Sequence, residues 1–171
     1  MSGHHGTKRP NISLALWNLR SIENVASILR TADGFGVQAV HFIGTTPHPT
    51  LENDTRLPHI RALLDKKFAK TSLGAEHNLA LNYHDNFSDL QRALPSKTQI
   101  IALEQTPKSH ILPNLPELQE EVLLVIGEER HGLPPEVLDQ CAAAIEIPMF
   151  GKKESFNVAV ATGIALYALA L

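Results

Sequence analysis

Hydrophobic positions along the chain fall into two periods. Near-continuous apolar runs at Ile12–Trp17, Ala39–Ile43, Gln99–Leu103, Val122–Ile126 and Ala143–Ile147 read as strands, with Leu79–Tyr83 a weaker sixth. Between them, Ile22, Val25, Ala26 and Leu29 recur at helical spacing, as do Ile60, Leu63 and Leu64, then Phe87, Leu90 and Leu94. These segments predict amphipathic helices. Apolar strands separated by helices imply an α/β class: a mostly parallel sheet covered on both faces. The apolar run Val158–Leu171 has 14 residues and is broken by Thr162 and Gly163, too short for the roughly 20 that span a bilayer. It reads as a buried helix, and no membrane partner is expected.

The 171 residues suit one domain, expected over 12–171 behind a polar, flexible tail at 1–11 without the apolar core of a signal peptide. Thr106–Pro116, with three prolines, reads as a loop inside that domain. A single cysteine, Cys141, excludes an internal disulfide framework and a cysteine-rich zinc site, which suits a reducing compartment and a cytoplasmic location. No metal site is expected, because the nine histidines form no H-E-x-x-H or similar ligand spacing.

The formal net charge is -3, so a polyanion would need a local basic surface. One exists: Arg56–Lys70 carries five basic residues and one acidic, whereas Asp85–Glu146 carries eleven acidic and four basic. Arg56, Arg61, Lys66, Lys67 and Lys70, joined by Lys8, Arg9, Lys152 and Lys153, form the candidate nucleic-acid-contacting set. A solvated helix face accounts for the central run equally well.

Gly34–Ala39 fits the string G-x-G-x-x-A, but here a helix precedes the glycines and a strand follows. That order is the reverse of a dinucleotide site and predicts a helix C-cap and turn. Three other segments place polar residues where a packed core does not need them. Asn18, Asn24 and Arg30 run from a strand into a helix, with Asn18, Ser21 and Asn24 all suited to capping. Gly127, Glu129, Gly132 and Leu133 follow a buried strand, and the glycines permit close backbone approach to a ligand. In Ile147–Val158, Ser155 is placed as a helix N-cap and Asn157 in the first helical turn.

In this order and spacing the three segments resemble the signature motifs of the SpoU (TrmH) family of RNA 2'-O-ribose methyltransferases, in the SPOUT superfamily. N-x(5)-N-x(5)-R-x(4)-FG is met by Asn18, Asn24, Arg30, Phe35 and Gly36; G-x-E-x-x-G-L by Gly127 through Leu133; I-P-M-x-G-x-x-x-S-x-N-V by Ile147 through Val158. Lys70–Glu76 also looks like a family segment, and Phe156 departs from the usual leucine.

The resemblance implies a C-terminal deep trefoil knot, a homodimer, and S-adenosylmethionine held by Leu103, Glu104, Gly127, Gly132, Ile147, Met149, Ser155, Phe156 and Asn157. It assigns catalysis to Arg30 with Asn24, Glu129, Ser155 and Asn157. The expected reaction is methylation of a ribose 2'-hydroxyl, with tRNA preferred over ribosomal RNA. The alternative is a cofactor-binding RNA-binding or assembly module with little turnover.

Overall fold

The computed structural model describes residues 9–171; the first eight residues, including Lys8 and most of the expected tail, lie outside the described residues. Seven strands and five α-helices follow in the order β1 (Asn11–Trp17), α1 (Ile22–Gly34), β2 (Ala39–Ile43), α2 (Pro58–Ser72), β3 (Ala80–His84), α3 (Phe87–Ala93), β4 (Gln99–Leu103), β5 (His110–Ile111), β6 (Glu121–Ile126), α4 (Pro135–Leu138), β7 (Ala143–Glu146) and α5 (Val158–Ala170). All neighbours are parallel, in the order β3-β2-β1-β6-β4-β7-β5.

The period of two along the central strands divides the core between the two faces of the sheet. Leu14, Leu16, Val122, Leu124 and Ile126 join Val25, Ile28 and Leu29 of α1 and Leu166 and Leu169 of α5. Ala15, Leu123 and Val125 turn the other way, toward Phe87 and Leu90 of α3 and Val137 of α4. Registers Leu16↔Ile126, Leu103↔Ile126 and Leu103↔Ile145 bring the carboxyl ends of β1, β6, β4 and β7 to one level. The chain moves outward from β1 through β2 to β3, then continues with β4 beyond the position that β6 will fill. Such a reversal of strand order opens a crevice outside the carboxyl ends of the strands.

Helix ends follow local chemistry. Ser21 caps α1 by accepting from Asn24 N (3.1 Å). At its other end Gly36 takes φ +63 and Val37 N donates to Ala32 O (3.0 Å), the predicted cap and turn.

Three expectations change. The proline-rich stretch Thr106–Pro116 contains β5, whose two residues pair with β7 and close that edge of the sheet. Helix α2 exists, but Leu57, Ile60 and Leu63 are 61%, 38% and 51% exposed, because α2 packs on α1 through a face that buries Phe68 and Ser72. Helix α5 is buried on one side only: Ala165, Leu166 and Leu169 face the core while Val160 and Tyr167 face solvent. No helix among the described residues is long and apolar enough to cross a membrane.

Candidate functional site

A cavity of about 720 Å³ opens at the carboxyl ends of β4, β6 and β7. Leu103 and Glu104 come from the end of β4, Gly127 and Gly132 from the loop after β6, and Ile147 and Met149 from the segment after β7. Ser155, Phe156 and Asn157 complete the predicted cofactor set, and Asn24 and Glu129 line the same cavity. Strand β7 ends at Glu146, one residue before its predicted end, which leaves Ile147 free to line the cavity.

The loop after β6 is folded tightly on itself. A Cβ on Gly127 would lie 2.4 Å from the carbonyl carbon of Gly132, and one on Gly132 would lie 2.1 Å from Glu104 Oε2. Gly132 also has φ +65, the left-handed region that glycine adopts without strain. The two glycines therefore admit backbone and the Glu104 carboxylate, where the sequence suggested approach by a ligand. Glu104 Oε2 accepts from Leu133 N (2.9 Å) and Oε1 from Gln105 N (3.0 Å), so the carboxylate ties β4 to this loop.

A linear hydrogen-bond chain joins the three polar segments. Asn157 is itself the N-cap of α5, accepting at Oδ1 from Ala159 N (2.9 Å) and Val160 N (3.4 Å), which displaces the expected cap Ser155 to the cavity wall. Its Nδ2 donates to Asn24 Oδ1 (3.0 Å), and Asn24 Nδ2 donates to Glu129 Oε1 (3.2 Å). The other carboxylate oxygen of Glu129 accepts from Arg20 N (3.3 Å). Asn18, at φ +50, has a structural role, accepting from Thr45 N (2.9 Å) to join the ends of β1 and β2.

Arg30 stands apart. It is exposed on α1 and does not line the cavity formed by its own chain. Lys66, Lys67, Lys70, Lys152 and Lys153 are exposed, and Arg9 binds Phe35 O. Arg56 departs from the expected RNA set: its guanidinium is taken up by Asp54 Oδ1 (2.9 Å), His48 O (3.2 Å) and Pro49 O (2.9 Å) inside its own loop. Arg61 is half-buried, with its Nε shielded and unpaired.

Sequence reasoning missed Gln105, Glu128, Arg130, His131, Glu146 and Glu154 in the lining. Glu128 accepts from His131 and faces Arg20 (3.4 Å); the His131 hydrogen bond, then the Arg20 charge, hold its carboxyl below the usual range. Its position beside Glu129 was the available signal. The lining thus holds five carboxylates against one guanidinium, that of Arg130.

Residues 11–167 match the model of the SpoU rRNA Methylase family, and the chain belongs to that family. It is 27% identical over 159 residues to the tRNA (guanosine(18)-2'-O)-methyltransferase of Borreliella burgdorferi, covering 92% of this chain and 65% of that protein. The chain thus spans just under two thirds of that curated relative. Its fold matches an AdoMet-bound rRNA methyltransferase from Sinorhizobium meliloti with a TM-score of 0.76 at 24% identity, over 95% of this chain and 56% of the other. A structure solved for insight into the 2-OH methylation of C/U34 on tRNA matches with a TM-score of 0.70 at 27% identity, over 92% of this chain and 93% of that one.

Proposed function

We propose that the protein transfers a methyl group from S-adenosylmethionine to a ribose 2'-hydroxyl of RNA, with tRNA as the preferred substrate. The observation that carries this reading is an acid-lined cavity whose wall joins all three family motifs through Asn157, Asn24 and Glu129. Five carboxylates disfavour a phosphate-bearing dinucleotide and suit a cationic sulfonium. Leu103, Ile147 and Met149 provide apolar wall for an adenosyl group, and Ser155, Phe156 and Asn157 close the side nearest α5. When bound, the cofactor supplies an activated methyl group.

The protein's part is positioning and charge. Asn24 is held from both sides, so its amide presents a fixed edge to whatever enters beside Glu129. A guanidinium stays protonated in proteins, so Arg30 acts as a fixed cation that lowers the pKa of the hydroxyl or holds a neighbouring phosphate. Because Arg30 lies outside the cavity of its own chain, the reading includes a homodimer in which a second copy receives it. Exposed Phe150, Val160 and Tyr167 supply apolar surface for that contact.

The deep trefoil knot belongs to the same reading and rests on membership of the family. A cytoplasmic site of action fits the substrate class. The preference for tRNA rests on the tRNA C/U34 chain, which matches this one over nearly the full length of both.

The test is transfer of labelled methyl from S-adenosylmethionine to total tRNA and, separately, to ribosomal RNA, with nucleoside analysis. A labelled 2'-O-methyl nucleoside from tRNA is expected. Labelling of ribosomal RNA alone moves the substrate, and cofactor binding without labelling of either pool leaves the non-catalytic RNA-binding reading.

A further inference from the structure

A second cavity, of about 810 Å³, lies at the carboxyl ends of β2 and β3 under the loop 44–57. Its wall is fixed at several points. Thr46 Oγ1 donates to Leu16 O (2.8 Å) and accepts from Leu19 N (3.1 Å), while Thr50 N and Oγ1 both donate to the Asp65 carboxylate of α2 (2.7 Å each). Asp54, with a side chain 3% exposed, holds Arg56, and that hydrogen bond keeps its carboxyl far below the usual range.

The lining has a definite chemistry. The His48 ring is packed between Phe42 (centroids 5.6 Å apart) and Tyr83 (5.3 Å), and Tyr83, 43% exposed, is steadied by donating from its hydroxyl to Gly44 O (3.2 Å). Asn53 and Glu52, on the covering loop, add an exposed amide and an exposed carboxylate. The one guanidinium, Arg56, is committed to Asp54 and to backbone carbonyls, so the cavity offers no free guanidinium for a phosphate. An aromatic surface beside neutral and acidic hydrogen-bonding groups suits a planar, uncharged ring with donors and acceptors on its edge. A nucleobase has that form, and single-stranded RNA is read by stacking unpaired bases on such rings.

The cavity is also one turn away from the first. Asn18 and Leu19 bind Thr45 and Thr46 in the wall of the second cavity, and the next residue, Arg20, binds Glu129 in the first. The Arg20 side chain is 64% exposed, with its guanidinium 3.4 Å from Glu128 at the first cavity. We propose that the second cavity receives an unstacked nucleobase flanking the methylated nucleotide, stacked on Tyr83, with its edge met by Asn53 and Glu52. The inference rests on RNA being the substrate, and it makes this cavity a specificity subsite with Arg20 placed to meet the intervening phosphate.

Two measurements on the whole protein test it. In the first, the four nucleoside 5'-monophosphates are titrated while the ring resonances of His48 and Tyr83 are followed by NMR. Saturable shifts are expected for at least one of them, weakened fivefold or more by Glu52→Ala; rings unmoved by all four overturn the proposal. In the second, Tyr83→Ala is expected to raise the KM for tRNA about tenfold with the cofactor Kd unchanged, and Tyr83→Phe to restore it. A wild-type KM in Tyr83→Ala overturns the proposal. Should the wild-type protein methylate no RNA, the proposed function falls while the nucleotide titration still decides the cavity.

Discussion

Asn157 and Asn24 are 133 residues apart in the chain and share a 3.0 Å hydrogen bond. The contact joins the start of α5 to the first turn of α1, and Asn24 passes it on to Glu129 in the loop after β6. Each side chain has a direction imposed by the next: the Asn157 carbonyl is committed to the N–H groups of α5, so its amide must donate, and Asn24 must accept from it and donate to Glu129.

Asn157→Asp therefore separates two roles. An aspartate still caps α5, so the melting temperature is expected to stay within a few degrees of wild type. It cannot donate to Asn24, and methyl transfer is expected to fall at least tenfold, with cofactor affinity also reduced. Asn157→Ala should remove both, and stability should drop by about 1 kcal/mol with the cap. Wild-type turnover in Asn157→Asp would falsify the assigned role of this hydrogen-bond chain.

The glycines of the second motif differ sharply from the glycine of the third. A methyl group at Gly127 meets backbone at 2.4 Å, and one at Gly132 meets the Glu104 carboxylate while also requiring φ +65 of an alanine. Gly151 has nothing within 4 Å. Gly127→Ala and Gly132→Ala are expected to lower stability by about 1–3 kcal/mol and weaken cofactor binding tenfold or more. Gly151→Ala should leave both unchanged, as measured by thermal unfolding and by calorimetric titration with S-adenosylmethionine.

How much of this was legible beforehand depends on the range of the interaction. Strands such as Ala39–Ile43 and Gln99–Leu103 announced themselves because their apolar runs face covered layers on both sides. Two-residue β5 could not, since its existence depends on its pairing with β7. The apolar spacing of Ile60 and Leu63 marked a helix correctly, yet periodicity does not say what lies opposite, and here it is solvent. The motif residues of the cofactor set converge on one cavity and Glu128 was signalled by its neighbour Glu129, whereas Glu146 enters it from the end of β7 through tertiary geometry. Arg56 read as surface charge because its partners, Asp54 and the carbonyls of His48 and Pro49, are assembled only by the folded loop.

That difference between Arg56 and the lysines can be measured. Replacing Lys66, Lys67 and Lys70 by glutamine should weaken tRNA binding and flatten the slope of log affinity against log salt by about one for each phosphate no longer neutralised. Arg56→Gln should instead lower the melting temperature, because it strands the Asp54 carboxylate, with little change in slope. An unchanged slope in the lysine variant would remove that surface from the RNA interface.

Arg30 invites a complementation experiment. Arg30→Ala is expected to abolish transfer while fold and cofactor affinity remain, since the side chain is exposed and outside the cavity of its own chain. Mixed with Gly132→Ala under conditions that exchange subunits, at a cofactor concentration too low to load Gly132→Ala, it should regain activity if each cavity uses the arginine of the other copy. No recovery in verified heterodimers would place Arg30 in the service of its own chain.

His41 makes stability depend on pH in a direction that can be worked out. It is 8% exposed on β2, and burial, followed by the charge of His84, lowers its pKa from 6.5 to about 4. Nδ1 lies 3.0 Å from His84 Nε2, and burial lowers the pKa of His84 as well. Between pH 4 and 6.5 the unfolded chain binds a proton at residue 41 that the folded chain does not. Stability therefore falls as pH drops through that window, by up to about 1.4 kcal/mol per pH unit for His41, and is level in this respect above it. Asp54 does not oppose the trend there, since its contribution disappears only as pH falls below its ordinary value of 3.8. Proton NMR of the His41 ring should give a midpoint near pH 4, and denaturant unfolding should show the slope shrinking in His41→Gln. A His41 midpoint near 6.5 would overturn the assignment.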